Sequence, residues 1–479
     1  MADADLWPAL TYDDAELVFG VVAAVGTDTD AFQRVLKDHL DKFAYSLSPI
    51  RLSDLLDHLQ HGVTLKAKPE YDRISTRMDA GNKVREQAKR GDLLALHGVS
   101  RINTARPGPD HDQPFARRSH LLLTLKHPDE VRALRRIYGP GFFLIGAYSS
   151  EDQRLRYLTK DKNIPDAKAK ELIKRDQDEG QPFGQRTRDT FYLADVFVRA
   201  GEKEDVWCFV DLVFGHPFTT PRRDEHAMFL AYAASLRSAQ LGRQVGAAVA
   251  SEHGDVVAVG CNDIPRFGGG LCVEGETPDY RDHVVGRDSN EEYRRRILEE
   301  VTQRLIPRMS VEAAGQKLSG SILLDVSEFG RAVHAEMDAL LSCARAGVTP
   351  RGGTLYTTTF PCHNCARHII AAGIRRVVYI EPYAKSRATD LHDDAIAVEE
   401  SAKEDNKVRF EPFVGIGPRR YFDLFSTALS SGYPVPRDLP VDPEWRNKAR
   451  TRVAMLPTSY LRREKLAIEV LRKQTRRKR

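Results

Sequence analysis

Along the first half of the chain, short apolar runs alternate with helical patterns: Leu17 to Val25 (LVFGVVAAV), His120 to Lys126 (HLLLTLK), Phe142 to Tyr148 (FFLIGAY) and Val206 to Gly215 (VWCFVDLVFG). Unbroken apolar runs suit strands that are covered on both faces, so this rhythm predicts a parallel-sheet α/β domain. Between Ser150 and Arg188 the chain turns polar and charged. That stretch is expected to be a helical excursion closing over the domain rather than a core element. The turn-rich HPFTTPRRDEH, His216 to His226, reads as a domain boundary.

Past the boundary the pattern runs helix (AMFLAYAASLRSA), strand (VGAAVAS), strand (DVVAVGCN) and then a long excursion from Asp263 to Arg331. A helix at His334, a strand (TLYTTT), a helix at Cys362 and a strand (RRVVYIEP) follow, which predicts a mixed sheet with interleaved helices. The excursion carries RFGGG and the charged helix NEEYRRRILEEVTQRL. A loop of that length beside a site is either functional or a tolerated insertion. The expected organisation is one domain over residues 15–215, a second over 225–430 with an insertion at 263–331, and a basic C-terminal extension over 431–479.

Length agrees with two domains, since 479 residues exceed one ordinary core. No apolar run approaches the roughly 18 residues that span a bilayer, so no membrane partner is expected. The start, MADADLWPAL, lacks the basic and apolar segments of a secretory signal, and a cytoplasmic location is expected. The net charge is only +4, yet Lys448 to Arg479 holds twelve Lys/Arg against Glu464 and Glu469. Such an arm either meets nucleic acid or is a solvated helix end. Six cysteines do not make a disulfide framework here, and only Cys362 and Cys365 are closely spaced, which points to metal or redox chemistry.

His334, Cys362 and Cys365 offer one imidazole and two thiolates, the nitrogen and sulfur donors that zinc prefers, with a fourth position left for water. Pro361 suits a helix start, where free N–H groups and the helix dipole favour the thiolate form. A zinc ion there lowers the pKa of its water toward 7. Glu336, two residues after His334, is placed to move protons without binding the metal. His-x-Glu followed by Pro-Cys-x-x-Cys is the signature of zinc nucleobase deaminases. A structural zinc site and a redox pair are the alternatives, and His363 and His368 are rival ligands. A redox pair would follow its domain's first strand, and a four-cysteine site lacks its second pair.

RSAQLGRQVGAAVASEHGDVVAVGCNDIP, HAEMDAL, TLYTTTFPCHNCARHIIAAGIRRVVYIEPY and KSRATDLHDDAI, in order from Arg237 to Ile396, resemble the deoxycytidylate-deaminase branch of the cytidine deaminase-like superfamily. The resemblance implies a three-layer α/β/α fold whose mixed five-stranded sheet ends in parallel strands. It further implies zinc on His334, Cys362 and Cys365, proton transfer by Glu336, and contact of Asn262 with the substrate sugar. Asn262 is equally suited to a plain turn. Arg237 and Arg243 are candidates for the substrate phosphates through their guanidinium forks, or else solvent-facing helix charges.

In the N-terminal half, ELVFGVVAAVGTDTDAFQRVL, YSLSPIRLSDLL, LLLTLKHPDEVRALRRIYGPGFFLIGAYSSEDQR and RDTFYLADVFV resemble the P-loop-kinase-like domain fused to a deaminase in bacterial anti-phage deoxycytidine-nucleotide deaminases. The resemblance implies an enzyme held inactive until infection that then converts dCTP and dCMP to dUTP and dUMP. It also implies a small regulatory RNA as a restraining partner, and a homo-oligomer is expected. The phosphate loop departs from GxxxxGK[ST]: Val21 stands in the first glycine's place, and Gly26 is followed by Thr27 and Asp28. Gly26, Thr27 and Asp28 remain candidates for a nucleotide site at a strand-to-helix turn, although Asp28 would oppose a phosphate. Kinase activity is not expected.

The leading reading is therefore a zinc-dependent deaminase of free dCTP and/or dCMP. A second is an editor of cytosine or adenosine in RNA or DNA, suggested by the basic tail but lacking an aromatic stacking surface. A third is a regulatory nucleotide- or RNA-binding protein that uses the deaminase fold as a scaffold.

Overall fold

The computed structural model describes residues 14–476 apart from 178, 180–182, 320, 325–327, 384–385, 399–405, 428–444, 447–448, 450 and 453–456. In chain order its strands are β1 (Leu17–Ala23), β2 (Ser46–Arg51), β3 (Arg118–Leu123), β4 (Phe142–Tyr148), β5 (Val196–Arg199), β6 (Gly246–Ala250), β7 (Val256–Cys261), β8 (Thr354–Thr359), β9 (Arg376–Glu381), β10 (Ile396–Val398), β11 (Val408–Pro412) and β12 (Gly415–Ile416). They form two six-stranded sheets, one in each of two compact units. The first unit is Met1–Glu225 with Val414–Arg479, and the second is His226–Phe413. Among the described residues no helix is long and apolar enough to cross a membrane.

The first sheet has the order β12-β5-β4-β1-β3-β2, parallel except for β12. Every residue of β1 is buried, as a central strand covered on both faces must be. Phe19, Phe32, Phe143, Phe209 and Trp445 share its core. Two strands escape the sequence pattern, the edge strand β2 and the inner strand β5. Strand β2 carries Pro49, which reads as a strand breaker but is tolerated on an edge, and β5 has only four residues.

Three expectations need correction in this unit. Val206 to Gly215 is not strand-like: Lys203–Val213 is a helix, whose Val206, Phe209, Val210 and Val213 are buried at helical spacing. A ten-residue apolar run does not separate buried helix from buried strand. The polar stretch 150–188 is more than a cover, because Leu158, Ile164, Leu172 and Ile173 form a small core of their own with Met78. The C-terminal segment is neither part of the second unit to residue 430 nor a separate basic extension. It completes the first unit from Val414 onward. Its helix Pro457–Arg476 packs on the helices Leu93–Thr104 and Pro128–Tyr138, burying Tyr460, Leu461, Ile468 and Leu471. The final residues of the basic tail, 477–479, lie outside the described residues.

What fastens that helix is charge as well as apolar surface. Glu464, fully buried, forms an ion pair with Arg106, and Arg106 also reaches Glu16 at 3.1 Å. His120 and the Tyr460 hydroxyl complete the Glu16 cluster at 3.1 and 2.7 Å.

In the second unit the order is β7-β6-β8-β9-β11-β10. Strand β6 pairs antiparallel with β7 and β8, while β8, β9, β11 and β10 run parallel. The expected mixed sheet with parallel last strands is present, with six strands rather than five. The additional one is the three-residue edge strand β10, too short to show a period. The helix Ala335–Ala346 lies on β6 and β7, and Gly260 lets it approach: a Cβ there would stand 2.4 Å from Ala339 N and 2.5 Å from Ala335 O. The long insertion leaves at Asp263 and returns at Val333, and these two residues pair in a bridge. Because its ends close on each other, the sheet is continuous across it and the chain re-enters at His334.

Candidate metal centre

Two helix starts meet at one point. His334 is the N-cap of helix Ala335–Ala346 and Cys362 that of helix His363–Ala371, and neither side chain is used as a cap. His334 Nδ1 lies 3.3 Å from both Cys362 Sγ and Cys365 Sγ. The donor atoms of these three residues all fall within 4.8 Å of one another. Zinc bonds of about 2.0 Å to nitrogen and 2.3 Å to sulfur in a tetrahedron separate the donors by about 3.6 Å, so a small outward shift seats the ion. Three ligands of this chemistry fit zinc and leave one coordination position open.

Glu336 is 4% exposed and holds its carboxylate against this cluster. Its Oε2 accepts from Cys365 Sγ at 3.3 Å and its Oε1 from the Thr357 hydroxyl at 3.4 Å. Burial pushes the Glu336 carboxyl up, which favours a group that takes and returns a proton. The Cys362 thiol is pulled down to about 4, first by the hydrogen bond from Cys365 and then by His334. Cys365 moves the opposite way, raised by its hydrogen bond with Cys362, by burial and by the Glu336 charge beside it.

The rival ligands point elsewhere. His363 Nε2 lies 3.2 Å from Glu328 in the insertion, and His368 Nδ1 bonds the Asn364 carbonyl at 2.6 Å within its own helix.

Asn262 is nearly buried, and both ends of its amide are taken up locally. Val245 N donates to its Oδ1 at 2.7 Å, and its Nδ2 donates to Arg243 O at 2.9 Å. It therefore fixes the backbone entering β6. Arg243 pairs with Glu381 at 2.7 Å and sits over the Tyr383 ring, whereas Arg237 is exposed just past the helix Arg223–Ser235. In the first unit, Gly26 makes the turn after β1 with φ +90°, and a Cβ there would lie 2.8 Å from Arg154 O. Thr27 follows, and Asp28 caps the helix Thr29–Leu40 by accepting from Asp30 N at 3.1 Å and Ala31 N at 3.0 Å. Asp28 therefore leaves the nucleotide-binding set: its carboxylate already occupies the N–H groups that a phosphate would need.

One residue of the site is not legible in the pattern. Thr357 reads only as an alternating position of TLYTTT, yet it is fully buried, donates to Glu336 and also reaches Thr359 O at 3.0 Å. Only the pairing of β8 beside the helix Ala335–Ala346 brings it there.

Residues 221–381 match the family described as the cytidine and deoxycytidylate deaminase zinc-binding region. ComE operon protein 2 of Bacillus subtilis (strain 168) is 42% identical over 64 residues, which are 13% of this chain and 33% of that protein. The deoxycytidylate deaminase of Enterobacteria phage T4 is 44% identical over 55 residues, 12% of this chain and 28% of that protein. The mouse (Mus musculus) deoxycytidylate deaminase is 25% identical over 166 residues, 34% of this chain and 68% of that enzyme. The first of these matches thus span about a third of the curated relatives' length. Among solved structures, the dCMP deaminase of cyanophage S-TIM5 in complex with dCMP and dUMP is 20% identical, covering 41% of this chain and 99% of that one, with a TM-score of 0.24.

Proposed function

We propose that the second unit is a zinc-dependent hydrolytic deaminase of free deoxycytidine nucleotides. The observation that carries this reading is the convergence of His334, Cys362 and Cys365 with the buried, non-ligating Glu336. Zinc, when bound, supplies the Lewis acidity that makes water a nucleophile near neutral pH. Glu336 would take one proton from the attacking water and deliver it to N3 of the cytosine ring, then pass the remaining proton of the new C4 hydroxyl to the amine. A C4–O bond forms, the C4–N bond breaks, and ammonia leaves. Thr357 holds the Glu336 carboxylate in place for both transfers. The family match and the deoxycytidylate deaminases among the relatives support dCMP as a substrate.

The finer parts of the reading are use of dCTP as well as dCMP, depletion of both during phage infection, restraint by a small RNA, and a homo-oligomer. They rest on the sequence resemblance. Within it Arg243 and Arg237 are candidates for the phosphates and Asn262 is the candidate for the sugar, which it would reach only by giving up a bond to Val245 N or Arg243 O.

Ammonia release from dCMP, dCTP and cytidine, measured on purified protein with zinc content determined in parallel, tests the chemistry. Release from a deoxycytidine nucleotide is expected, with loss in Glu336→Ala while zinc is retained. Undiminished release in Glu336→Ala overturns the assignment. For the biological role, dCTP and dCMP pools in infected cells should fall with the wild type and hold with Glu336→Ala; equal pools in both sink that role.

A further inference from the structure

The long insertion leaves the sheet at Asp263, which is only 1% exposed. Among the described residues Asp263 makes no ion pair, and its carboxylate is held by backbone N–H groups. Oδ2 accepts from Ala239 N at 2.9 Å and Oδ1 from Ile264 N at 2.8 Å. Its own carbonyl accepts from Val333 N at 2.9 Å. A buried carboxylate is costly unless its oxygens are hydrogen-bonded, and bonds to a charged acceptor are the strong ones.

The partners matter for what lies next to them. Val333 immediately precedes the metal ligand His334. Ala239 belongs to the segment between the helix Arg223–Ser235 and β6, which carries Arg237 and Arg243, both exposed. Neighbouring bonds stiffen that segment: Ser238 Oγ donates to Asn262 O at 2.6 Å, and Gln244 Nε2 to Ser238 O at 2.7 Å. The segment and the metal donors share one edge of the sheet. Gly246, which opens β6, stands opposite Cys261 at the end of β7, and its N–H donates at 3.1 Å to the Thr358 hydroxyl, close ahead of Cys362. Arg243 pairs with Glu381, the last residue of β9.

We propose that Asp263 is a positioning residue that sets the preference for nucleotides over nucleosides. It holds the segment of Arg237 and Arg243 at a fixed reach from His334, so that the base at the metal centre and the 5′-phosphate at the arginines are met together. The inference rests on the deaminase reading and deepens it. A substrate gripped at both ends is sensitive to the distance between the grips, and a misplacement of about 1 Å can cost about 10²-fold. Deoxycytidine has no phosphate, is gripped at one end, and is indifferent to where the segment sits. Aspartate suits the position better than asparagine, which has a single acceptor oxygen and would turn its NH₂ toward one of the two N–H donors.

Isothermal titration of the full chain carrying Glu336→Ala, which removes turnover, tests this with dCMP and deoxycytidine, zinc content being measured in parallel. Adding Asp263→Ala should weaken dCMP binding about tenfold or more, while deoxycytidine changes less than about twofold and zinc is retained. Asp263→Asn keeps one acceptor for Ala239 N and should restore part of the preference, a rescue that general loss of stability does not produce. If melting curves show Asp263→Ala unfolded, Ser238→Ala carries the test. It unhooks the same segment from Asn262 and should move the ratio of the two affinities the same way, by about threefold. An unchanged ratio in the folded variants, or an equal loss on both ligands, overturns the proposal alone. Absence of binding of either compound to the Glu336→Ala chain overturns the deaminase reading, and the proposal with it.

Discussion

At the start of the helix Thr29–Leu40 the free backbone N–H groups meet the chain's own carboxylate, Asp28, whereas the helices Ala335–Ala346 and His363–Ala371 begin with His334 and Cys362, which cap nothing. The same local device is closed on itself in one unit and left open in the other. An aspartate cap stabilises a helix and repels a second anion. A histidine or cysteine at the same position forgoes that cap bond, and its side chain is then available to a metal, with the helix dipole favouring a thiolate. The chemistry at a helix end therefore depends on one residue more than on the fold around it.

The largest effect should come from breaking the open site. Glu336→Ala is expected to lower ammonia release about 10²- to 10⁴-fold, as loss of a positioned proton carrier does, with zinc content unchanged. Rate measurement beside metal analysis reads both. Next is the cluster that fastens the C-terminal helix to the first unit. Arg106→Met leaves Glu464 and Glu16 as buried charges without their cation and should cost about 3–5 kcal/mol in denaturant melts.

The same cluster has a pH signature. Burial pushes the Glu16 carboxyl up, but the His120 hydrogen bond and the Arg106 charge outweigh it and hold the group below its ordinary 4.5. A carboxyl depressed in the folded state contributes stability above its ordinary pKa, and that contribution is lost as pH falls through the lower folded value. Thermal melts taken downward from pH 5 should show the loss, and Glu16→Gln should flatten it.

Smaller effects sharpen the contrast between the two helix ends. Gly260→Ala forces the helix Ala335–Ala346 off β7 and should cost about 1–3 kcal/mol, lowering zinc retention along with stability. Asp28→Ala removes a cap and should cost only about 1 kcal/mol, with ammonia release unaltered.

Legibility in the sequence followed the range of the forces involved. His334, Glu336, Cys362 and Cys365 were readable because ligand type and spacing are local, and a helix start places residues three apart together. The parallel β1, β3 and β4 were readable because strands buried on both faces are continuously apolar. The helix Lys203–Val213 was not, since a buried helix can be apolar all round. The C-terminal helix was misread because the twelve cations between Lys448 and Arg479 mask the stripe formed by Tyr460, Leu461, Ile468 and Leu471. Glu464 looked like a stray acid in a basic arm and is a fully buried partner of Arg106.

By itself the sequence determined the α/β class and picked out the three donors that could hold a metal, with Glu336 as the candidate proton carrier beside them, because periodicity and ligand spacing are written within a few residues of one another. Only the tertiary structure decided that the chain end returns to the first unit, that Thr357 steadies Glu336, and that Asp28 closes the phosphate loop. It alone joined Asp263 to both Ala239 and Val333. Those pairings join residues far apart in the chain, and the burial that makes them strong exists only once the sheets have formed.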